Sequence, residues 1–255
     1  MPDLSIVIPA YNEENRLGRA LERIRDFFTA QNTPPEQIEI LVVDDGSTDG
    51  TARIARDWTR VMPSVRLIAN DRNCGKGYSV RRGMLEARGR VALFTDADLS
   101  SPIEELHKLL AALDAGNDVA IGSRALDRSL ISVHQSAFRE MAGILYNGLV
   151  RLSMGLPFHD TQCGFKAFVR SPSRIIFEQQ RIERFGFDPE ILFLAKRHGL
   201  RTAEVPVRWA HDPATKVHVF RDSLLMFGDL VRIRWNWIVG RYPKDRPAIQ
   251  KADMA

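Results

Sequence analysis

The sequence predicts an α/β fold with a mainly parallel sheet and helices on both faces. Strand and helix patterns alternate five times between residues 4 and 122, which is typical of parallel strands joined by right-handed crossovers. The first predicted strand, residues 4–8, shows no polar alternation, and this indicates burial on both faces of the sheet. With 255 residues the chain is long enough to bury a full core.

The first half of the chain carries five predicted strands, over residues 4–8, 38–43, 65–69, 91–94 and 118–122. We expect Pro9 to end the first strand and Asn12 to cap the helix that follows. That helix has apolar residues at helical spacing, namely Leu17, Leu21, Ile24 and Phe28. Further helices are predicted from the glycine-bearing loop 73–77 to about Arg88 and over residues 103–113.

In the second half of the chain, the sequence pattern predicts a long helix over residues 135–154, followed by a shorter helix and one strand. Apolar residues of the long helix share one side: Phe138, Met141, Ile144, Leu145, Leu149 and Leu152. The shorter helix opens at Asp188-Pro189, where proline suits the first turn; Asp188 either caps this helix or serves a functional site. The last strand, residues 204–209, is predicted at a sheet edge because it contains Pro206.

Acidic residues follow three of the predicted strands: Glu13, Asp45 and the pair Asp96 and Asp98. Because the carboxyl ends of parallel strands meet at one edge of a sheet, we expect these acids to surround one crevice. Two carboxylates spaced i, i+2 offer hard oxygen ligands to Mg²⁺ or Mn²⁺, ions that readily share their coordination shell with phosphates. The alternative is that Asp98 only caps a helix beginning near Pro102.

Several function classes are excluded or disfavoured. Residues 75–77 (Gly-Lys-Gly) lack the third glycine of a dinucleotide fingerprint, and no P-loop motif occurs; Lys76 could still reach a phosphate. Basic residues are not interleaved with aromatics on a sheet face, so no nucleic-acid partner is expected. Cys74 and Cys163 lie too far apart to indicate a disulfide framework or a zinc site, which favours a reducing compartment.

The net charge of +4 is concentrated near the C-terminus, where residues 197–246 hold ten Lys or Arg against five Asp or Glu. Residues 220–242 combine long aliphatic side chains and tryptophans with arginines. This segment is too short and too charged to cross a bilayer core of about 30 Å. The pattern predicts an amphipathic interfacial helix, with a helix docked on the core through its apolar face as the alternative.

Six segments together resemble one known family: residues 7–13 (VIPAYNE), 42–47 (VVDDGS), 75–77 (GKG), 95–98 (TDAD), 122–124 (GSR) and 160–166 (DTQCGFK). Through them the chain resembles inverting glycosyltransferases of family 2, which have the GT-A fold. The last segment, together with residues 184–188 (RFGFD), resembles the dolichyl-phosphate β-glucosyltransferase and polyprenyl-phosphate glycosyltransferase branch. The resemblance spans residues 4 to about 240.

The resemblance implies a Rossmann-like GT-A catalytic domain over residues 1–215. Its halves would be a nucleotide-sugar half (1–125) and an acceptor half (126–215), followed by a basic amphipathic segment (216–255). The implied nucleotide-sugar contacts are Pro9, Ala10, Tyr11, Glu13, Val43, Asp45, Lys76, Asp96, Ala97 and Asp98. Asp96 and Asp98 would hold Mg²⁺ or Mn²⁺, and with Arg124 and Asp160 they form the implied catalytic set.

Acceptor contacts are implied for Arg124, Arg139, Gln162, Lys166, Asp188 and Lys216. If a general base or an acceptor-orienting acid exists, Asp160 is the first candidate and Asp188 the second. The family's pair of basic residues after the last strand is matched by Lys216, and His211 stands where the other is expected.

The implied reaction is metal-dependent transfer of glucose from UDP-glucose to a polyprenyl phosphate, with inversion to a β-linked product. Alternatives are another sugar, a glycan or lipid hydroxyl acceptor, or a non-catalytic nucleotide-sugar-binding module at a membrane surface. A sugar nucleotidyltransferase is disfavoured, because its glycine-rich basic loop is missing after the first strand. Family members usually carry a transmembrane helix and none is visible in this sequence. We therefore expect peripheral contact with the cytoplasmic face of a membrane through the C-terminal helix.

Overall fold

The computed structural model describes residues 1–211 and 219–243. In these ranges the strands are β1 (Leu4–Ala10), β2 (Ile38–Asp44), β3 (Val65–Ala69), β4 (Val91–Thr95), β5 (Val119–Ser123), β6 (Ile131–Val133), β7 (Phe165–Val169), β8 (Thr202–Pro206) and β9 (Trp209–Ala210). The helices are α1 (Leu17–Ala30), α2 (Thr51–Val61), α3 (Lys76–Glu86), α4 (Leu106–Asp114), α5 (Ala137–Met154), α6 (Arg170–Gln179), α7 (Phe187–Arg197) and α8 (Val219–Ile238).

Seven strands form one sheet in the order β3-β2-β1-β4-β7-β5-β8. All neighbouring pairs are parallel except those of β7, which runs antiparallel between β4 and β5. Strands β6 and β9 form a separate parallel pair. The mainly parallel sheet is confirmed, and β8 lies at its edge as Pro206 predicts.

Helices cover both faces of the sheet. On one face α1 buries residues such as Leu21 and Ile24 in an apolar cluster with β1 and β2, and α4 lies on β5, β7 and β8. On the other face α3, α6 and α7 meet the sheet through residues such as Val80 and Phe177. Strands β1, β2, β4 and β5 are buried almost throughout because both faces are covered, and this explains their mainly apolar sequences.

Two local predictions about chain geometry are wrong. Pro9 does not end β1, because pairing with β2 continues through Pro9 to Ala10; pairing with β4 stops at Val7, so the missing amide hydrogen of Pro9 breaks no ladder on that side. Asn12 does not cap α1, which begins at Leu17; it has a positive φ of 54° and its Oδ1 accepts the Thr48 amide.

Asp188 does not cap α7 either. The N-cap is Gly186, and Asp188 lies buried in the first turn of the helix. Nor does Asp98 cap the helix after Pro102: its Oδ1 accepts the amide of Ser100 at 2.9 Å, within the loop that follows β4.

Helix α5 turns its predicted apolar side outward. Five of its apolar residues are exposed: Phe138, Met141, Ile144, Leu145 and Leu152. Only Val150 and Met154 of this helix are buried.

Helix α8 has apolar residues on its inner and outer sides. Leu230 and Ile233 are buried, and Trp237 packs edge-on against Phe193 of α7 with ring centroids 5.9 Å apart. Other apolar residues of the helix are exposed, including Phe227, Val231, Trp235 and Ile238. The helix contacts α5 and α7. Among the described residues no helix is long and apolar enough to cross a membrane.

Candidate active site

A polar cavity opens beyond the end of β4, between the loops of the sheet edge on one side and α5 on the other. The loop after β4 contributes Asp96, Asp98 and Ser100. Lys76, at the start of α3, and Arg124, just after β5, extend the polar wall. The remaining lining residues are Gln135, Arg139, Ala142, Gly143, Tyr146, Gln162, Gly164, Phe185, Asp188, Trp209, His211 and Met226. This position matches the crevice expected at the carboxyl ends of parallel strands.

Two carboxylates and one ammonium group stand together at this wall. Lys76 Nζ lies 2.5 Å from Asp96 Oδ1. Burial, and then the negative charge of Asp96, raise the pKa of Asp98. Burial lowers the pKa of Lys76, but Asp96 and Asp188 outweigh it, so this pKa lies above the ordinary lysine value. The carboxylates therefore repel each other, and a cation beside them is favoured.

The residues around Asp96 and Asp98 fit a divalent cation. A Cβ on Gly164 would lie 2.1 Å from Asp96 Oδ2, so the glycine is required for the carboxylate to occupy its place. Carboxylate oxygens are the ligands that Mg²⁺ and Mn²⁺ prefer. Within residues 1–211 and 219–243 no third His, Cys, Asp or Glu completes a cluster. An ion held here would therefore complete its shell with substrate oxygens and water.

Asp45 supports the loop that carries Lys76. Its two carboxylate oxygens accept hydrogen bonds from Asn70 Nδ2 at 2.7 Å, the Cys74 amide at 2.9 Å and the Gly75 amide at 2.8 Å. Gly75 has a φ of 105°, a conformation that favours glycine. Asp45 is 3% exposed, so its contacts in the described structure are with the protein's own loop.

Arg124 and Asp160 form a two-pronged ion pair behind the cavity. Arg124 Nε lies 2.6 Å from Asp160 Oδ2, and Arg124 Nη2 lies 2.9 Å from Oδ1. Burial tends to raise the pKa of Asp160, but the charge and hydrogen bonds of Arg124 hold it at about 2. Arg124 also stands over the Trp209 ring, 5.3 Å from its centroid. The guanidinium is thus fixed at the cavity wall.

Lys166 and Asp188 form a second, buried ion pair. Lys166 lies on β7 and is fully buried; its Nζ donates to Asp188 Oδ1 and to the Cys163 carbonyl, both at 2.5 Å. Burial raises the pKa of Asp188, although Lys166 opposes this effect. Asp188 lines the cavity, and Lys166 lies behind it, paired with Asp188.

The cavity gathers seven of the predicted site residues: Lys76, Asp96, Asp98, Arg124, Arg139, Gln162 and Asp188. The predicted residues Pro9, Ala10, Tyr11, Glu13, Val43 and Asp45 lie on or just after β1 and β2, beside the cavity and outside its lining. Ala97, Asp160 and Lys166 are buried behind it. Lys216 lies outside the described residues.

His211, which stands where the family's second basic residue is expected, lines the cavity and stacks on Trp209 with ring centroids 6.0 Å apart. The lining also includes residues that the sequence analysis did not assign to the site, among them Tyr146. Tyr146 belongs to α5, where a tyrosine in an apolar helix gave no signal of its position.

Comparisons with known proteins agree with this geometry. The family model "Glycosyl transferase family 2" matches residues 5–175. Dolichyl-phosphate beta-glucosyltransferase from Drosophila melanogaster is 38% identical over 251 residues, covering 94% of this chain and 77% of the relative. The enzyme of the same name from Homo sapiens is 34% identical over 250 residues, with the same coverage.

Solved structures share the fold at low identity. Glucosyl-3-phosphoglycerate synthase from Mycobacterium tuberculosis in complex with UDP has a TM-score of 0.64 at 19% identity, covering 91% of this chain and 80% of that chain. The same enzyme in complex with Mn²⁺, UDP and glucosyl-3-phosphoglycerate has a TM-score of 0.60 at 17% identity, covering 96% and 82%. These likenesses confirm the GT-A fold. With the family model and the relatives, they show that the chain belongs to glycosyl transferase family 2 and is a glycosyltransferase.

Proposed function

We propose that the protein transfers glucose from UDP-glucose to a polyprenyl phosphate of the dolichyl type, with inversion at the anomeric carbon. The identity to dolichyl-phosphate beta-glucosyltransferases over nearly the whole chain supports this donor sugar and acceptor. The observation that carries the proposal is a cavity whose wall has an acidic part, Asp96 and Asp98, and a basic part, Arg124 and Arg139.

The acidic wall suits the diphosphate of the donor. Asp96 and Asp98 would hold a divalent metal ion, and Lys76 adds a positive charge beside Asp96. When bound with the donor, such an ion neutralises negative charge on the leaving diphosphate. The structural neighbours crystallised with Mn²⁺ support a divalent ion; the choice between Mg²⁺ and Mn²⁺ stays a prediction.

The basic wall suits the acceptor phosphate. Arg124 is fixed by Asp160, and Arg139 and Gln162 also line the cavity. A phosphate oxygen held there attacks the anomeric carbon. The bond from that carbon to the UDP oxygen breaks, and its electron pair leaves with UDP. A phosphate monoester is largely ionised at neutral pH, since its second pKa is about 6. No general base is needed.

In the proposed reaction Asp160 is therefore an acid that orients Arg124. A carboxylate whose pKa is about 2 is a weak base at neutral pH. Its hydrogen bonds to Arg124 instead fix the guanidinium that faces the acceptor. A hydroxyl acceptor, which would need a stronger base, is less well supported.

We also propose that the protein contacts a membrane peripherally, because its acceptor is a lipid. Ten of the sixteen large apolar side chains that are exposed in the described residues lie on α5 and α8, which contact each other. Exposed arginines, including Arg151 and Arg232, lie on the same helices and suit anionic headgroups. Contact with the cytoplasmic face stays a prediction.

Product analysis tests the proposed function. Purified protein is incubated with UDP-glucose labelled with ¹³C in the sugar, a short-chain polyprenyl phosphate and MgCl₂ or MnCl₂. We expect a glucosyl phospholipid whose anomeric proton coupling in NMR reports a β linkage. An α-linked product would contradict inversion. A labelled product that carries no phosphate ester at the anomeric position would contradict a phosphate acceptor.

A further inference from the structure

The hydroxyl of Tyr146 has no hydrogen-bond partner, although it is buried. In the described part of the chain only three buried side-chain atoms lack a partner: Ser64 Oγ, Tyr146 Oη and Gln180 Oε1. Of these three residues only Tyr146 lines the cavity of the candidate active site. A buried hydroxyl without a partner is costly to stability, so an unsatisfied one at a substrate cavity indicates a ligand atom that completes it.

The position of Tyr146 is fixed by its neighbours. The next residue on α5, Asn147, accepts hydrogen bonds from the amide and the hydroxyl of Thr161, at 3.0 and 2.7 Å. This pair ties α5 to the loop that bears Gln162 and Gly164. The ring of Tyr146 also packs against the hydrophobic core. The phenol is therefore held in place before any substrate binds.

The charges around Tyr146 decide what its partner is. Burial raises the pKa of Tyr146, and the negative charges of Asp188 and Asp229 raise it further, so the phenol stays protonated and can donate. A phosphate placed beside these carboxylates would be repelled. A sugar hydroxyl is neutral, and it can accept from the phenol while it donates to Asp188. The carboxylate of Asp188 is kept in position by Lys166 at 2.5 Å.

We propose that Tyr146 and Asp188 together bind one hydroxyl of the transferred sugar, which makes Tyr146 a determinant of sugar specificity. This inference rests on the proposed function, since it assumes a nucleotide-sugar donor. Tyr146 contributes an orienting hydrogen bond to the donor and takes no part in bond breaking.

The test measures donor binding by calorimetry in the absence of acceptor. Wild type, Tyr146→Phe and the control Tyr78→Phe are titrated with UDP, UDP-glucose and the four UDP-monodeoxyglucoses, in MgCl₂ or MnCl₂. Tyr78 is also partly buried but lies outside the cavity lining. Both substitutions remove a single hydroxyl and keep the ring.

We expect Tyr146→Phe to weaken UDP-glucose binding about 5- to 10-fold, the size of one hydrogen bond, and to leave UDP binding unchanged. One deoxy donor should bind wild type and Tyr146→Phe equally, because it lacks the hydroxyl that Tyr146 contacts. Tyr78→Phe should match wild type for every ligand.

Two results would overturn the inference: an equal loss for UDP and UDP-glucose, or the same loss for all four deoxy donors. A normal donor affinity combined with a raised KM for the polyprenyl phosphate would also overturn it, by assigning Tyr146 to the acceptor. These outcomes are separate from failure of the proposed function, which is the absence of transfer from bound UDP-glucose to the lipid phosphate. No binding of UDP-glucose to wild type would overturn both.

Discussion

Gly164 shows how closely a single residue controls the acidic wall of the cavity. The Asp96 carboxylate occupies the space that a Cβ on Gly164 would need, with Oδ2 2.1 Å from that position. Gly164→Ala should displace Asp96 by more than an ångström. A misplacement of this size at a catalytic group can reduce the rate about 100-fold. We expect a loss of at least that order in kcat/KM, measured as UDP release, with an unchanged circular dichroism spectrum.

Gly148→Ala is the matched control. Gly148 lies inside α5 with no atom within 4 Å of an added Cβ. Alanine in a helix interior is favoured over glycine by about 0.5–1 kcal/mol, so this variant should be slightly more stable and fully active. Full activity in Gly164→Ala would show that the position of Asp96 does not matter for transfer.

Asp160 makes stability depend on pH in a defined window. Its pKa is about 2 in the folded protein, below the unfolded value of about 3.9. The stabilisation is therefore complete above about pH 5 and is lost as the pH falls through about 2, and it amounts to roughly 2 to 3 kcal/mol. We expect the difference in free energy of unfolding between wild type and Asp160→Asn to be about 1 kcal/mol smaller at pH 3 than at pH 6.

Urea denaturation at several pH values measures this difference. Because all other acids titrate in both proteins, subtracting the two curves isolates Asp160. Parallel curves from pH 6 to pH 3 would mean that Arg124 does not lower the pKa of Asp160.

At the scale of the element, α8 carries two tryptophans with different environments. Trp237 is packed against Phe193, and Arg197 and Arg234 each stand 5.1 Å from its ring centroid. Trp235 is 58% exposed. The sequence pattern made both candidates for membrane contact, because helical spacing alone does not show which side of a helix meets the core.

The two tryptophans should therefore respond differently to truncation. Trp237→Ala should lower the free energy of unfolding by about 3 kcal/mol, since it removes a packed aromatic side chain. Trp235→Ala should change stability by less than about 0.5 kcal/mol and should weaken binding to vesicles of phosphatidylcholine and phosphatidylglycerol. Co-sedimentation with these vesicles and thermal unfolding measure the two effects. Unchanged vesicle binding by Trp235→Ala would contradict the proposed role of this helix.

Strand β7 is an element beside the site that the sequence analysis does not predict. Its five residues, Phe165–Val169, include Lys166, so the strand lacks the apolar run that revealed its neighbours. The sequence analysis does not predict β7, so Lys166 and Asp188 are expected there as two separate polar residues that both contact the acceptor. The structure pairs them because β7 lies between β4 and β5 and directs Lys166 towards α7.

At the scale of the whole molecule, sequence periodicity predicted the sheet well. The parallel strands of the first half are mainly apolar, although β2 and β3 contain Glu39 and Arg66, and acids follow β1, β2 and β4 within the next three residues. The carboxyl ends of these strands meet by topology, so Glu13, Asp45, Asp96 and Asp98 were expected around one crevice. The structure places Asp96 and Asp98 in the cavity lining and Glu13 and Asp45 outside it. The long-range contacts of Asp45 and Tyr146 could not be predicted, because they depend on loop paths and on how α5 packs.

Metal-dependent release of nucleoside diphosphate by wild type and Asp98→Asn tests the proposed reaction. Each protein is incubated with UDP-glucose and with GDP-mannose, with and without a short polyprenyl phosphate and MgCl₂ or MnCl₂. We predict release from UDP-glucose only when both lipid phosphate and metal are present, and at least a 100-fold lower rate in a folded Asp98→Asn variant. Release that needs no lipid phosphate would contradict the proposed acceptor. Near wild-type release by Asp98→Asn would contradict the proposed role of Asp98 at the metal.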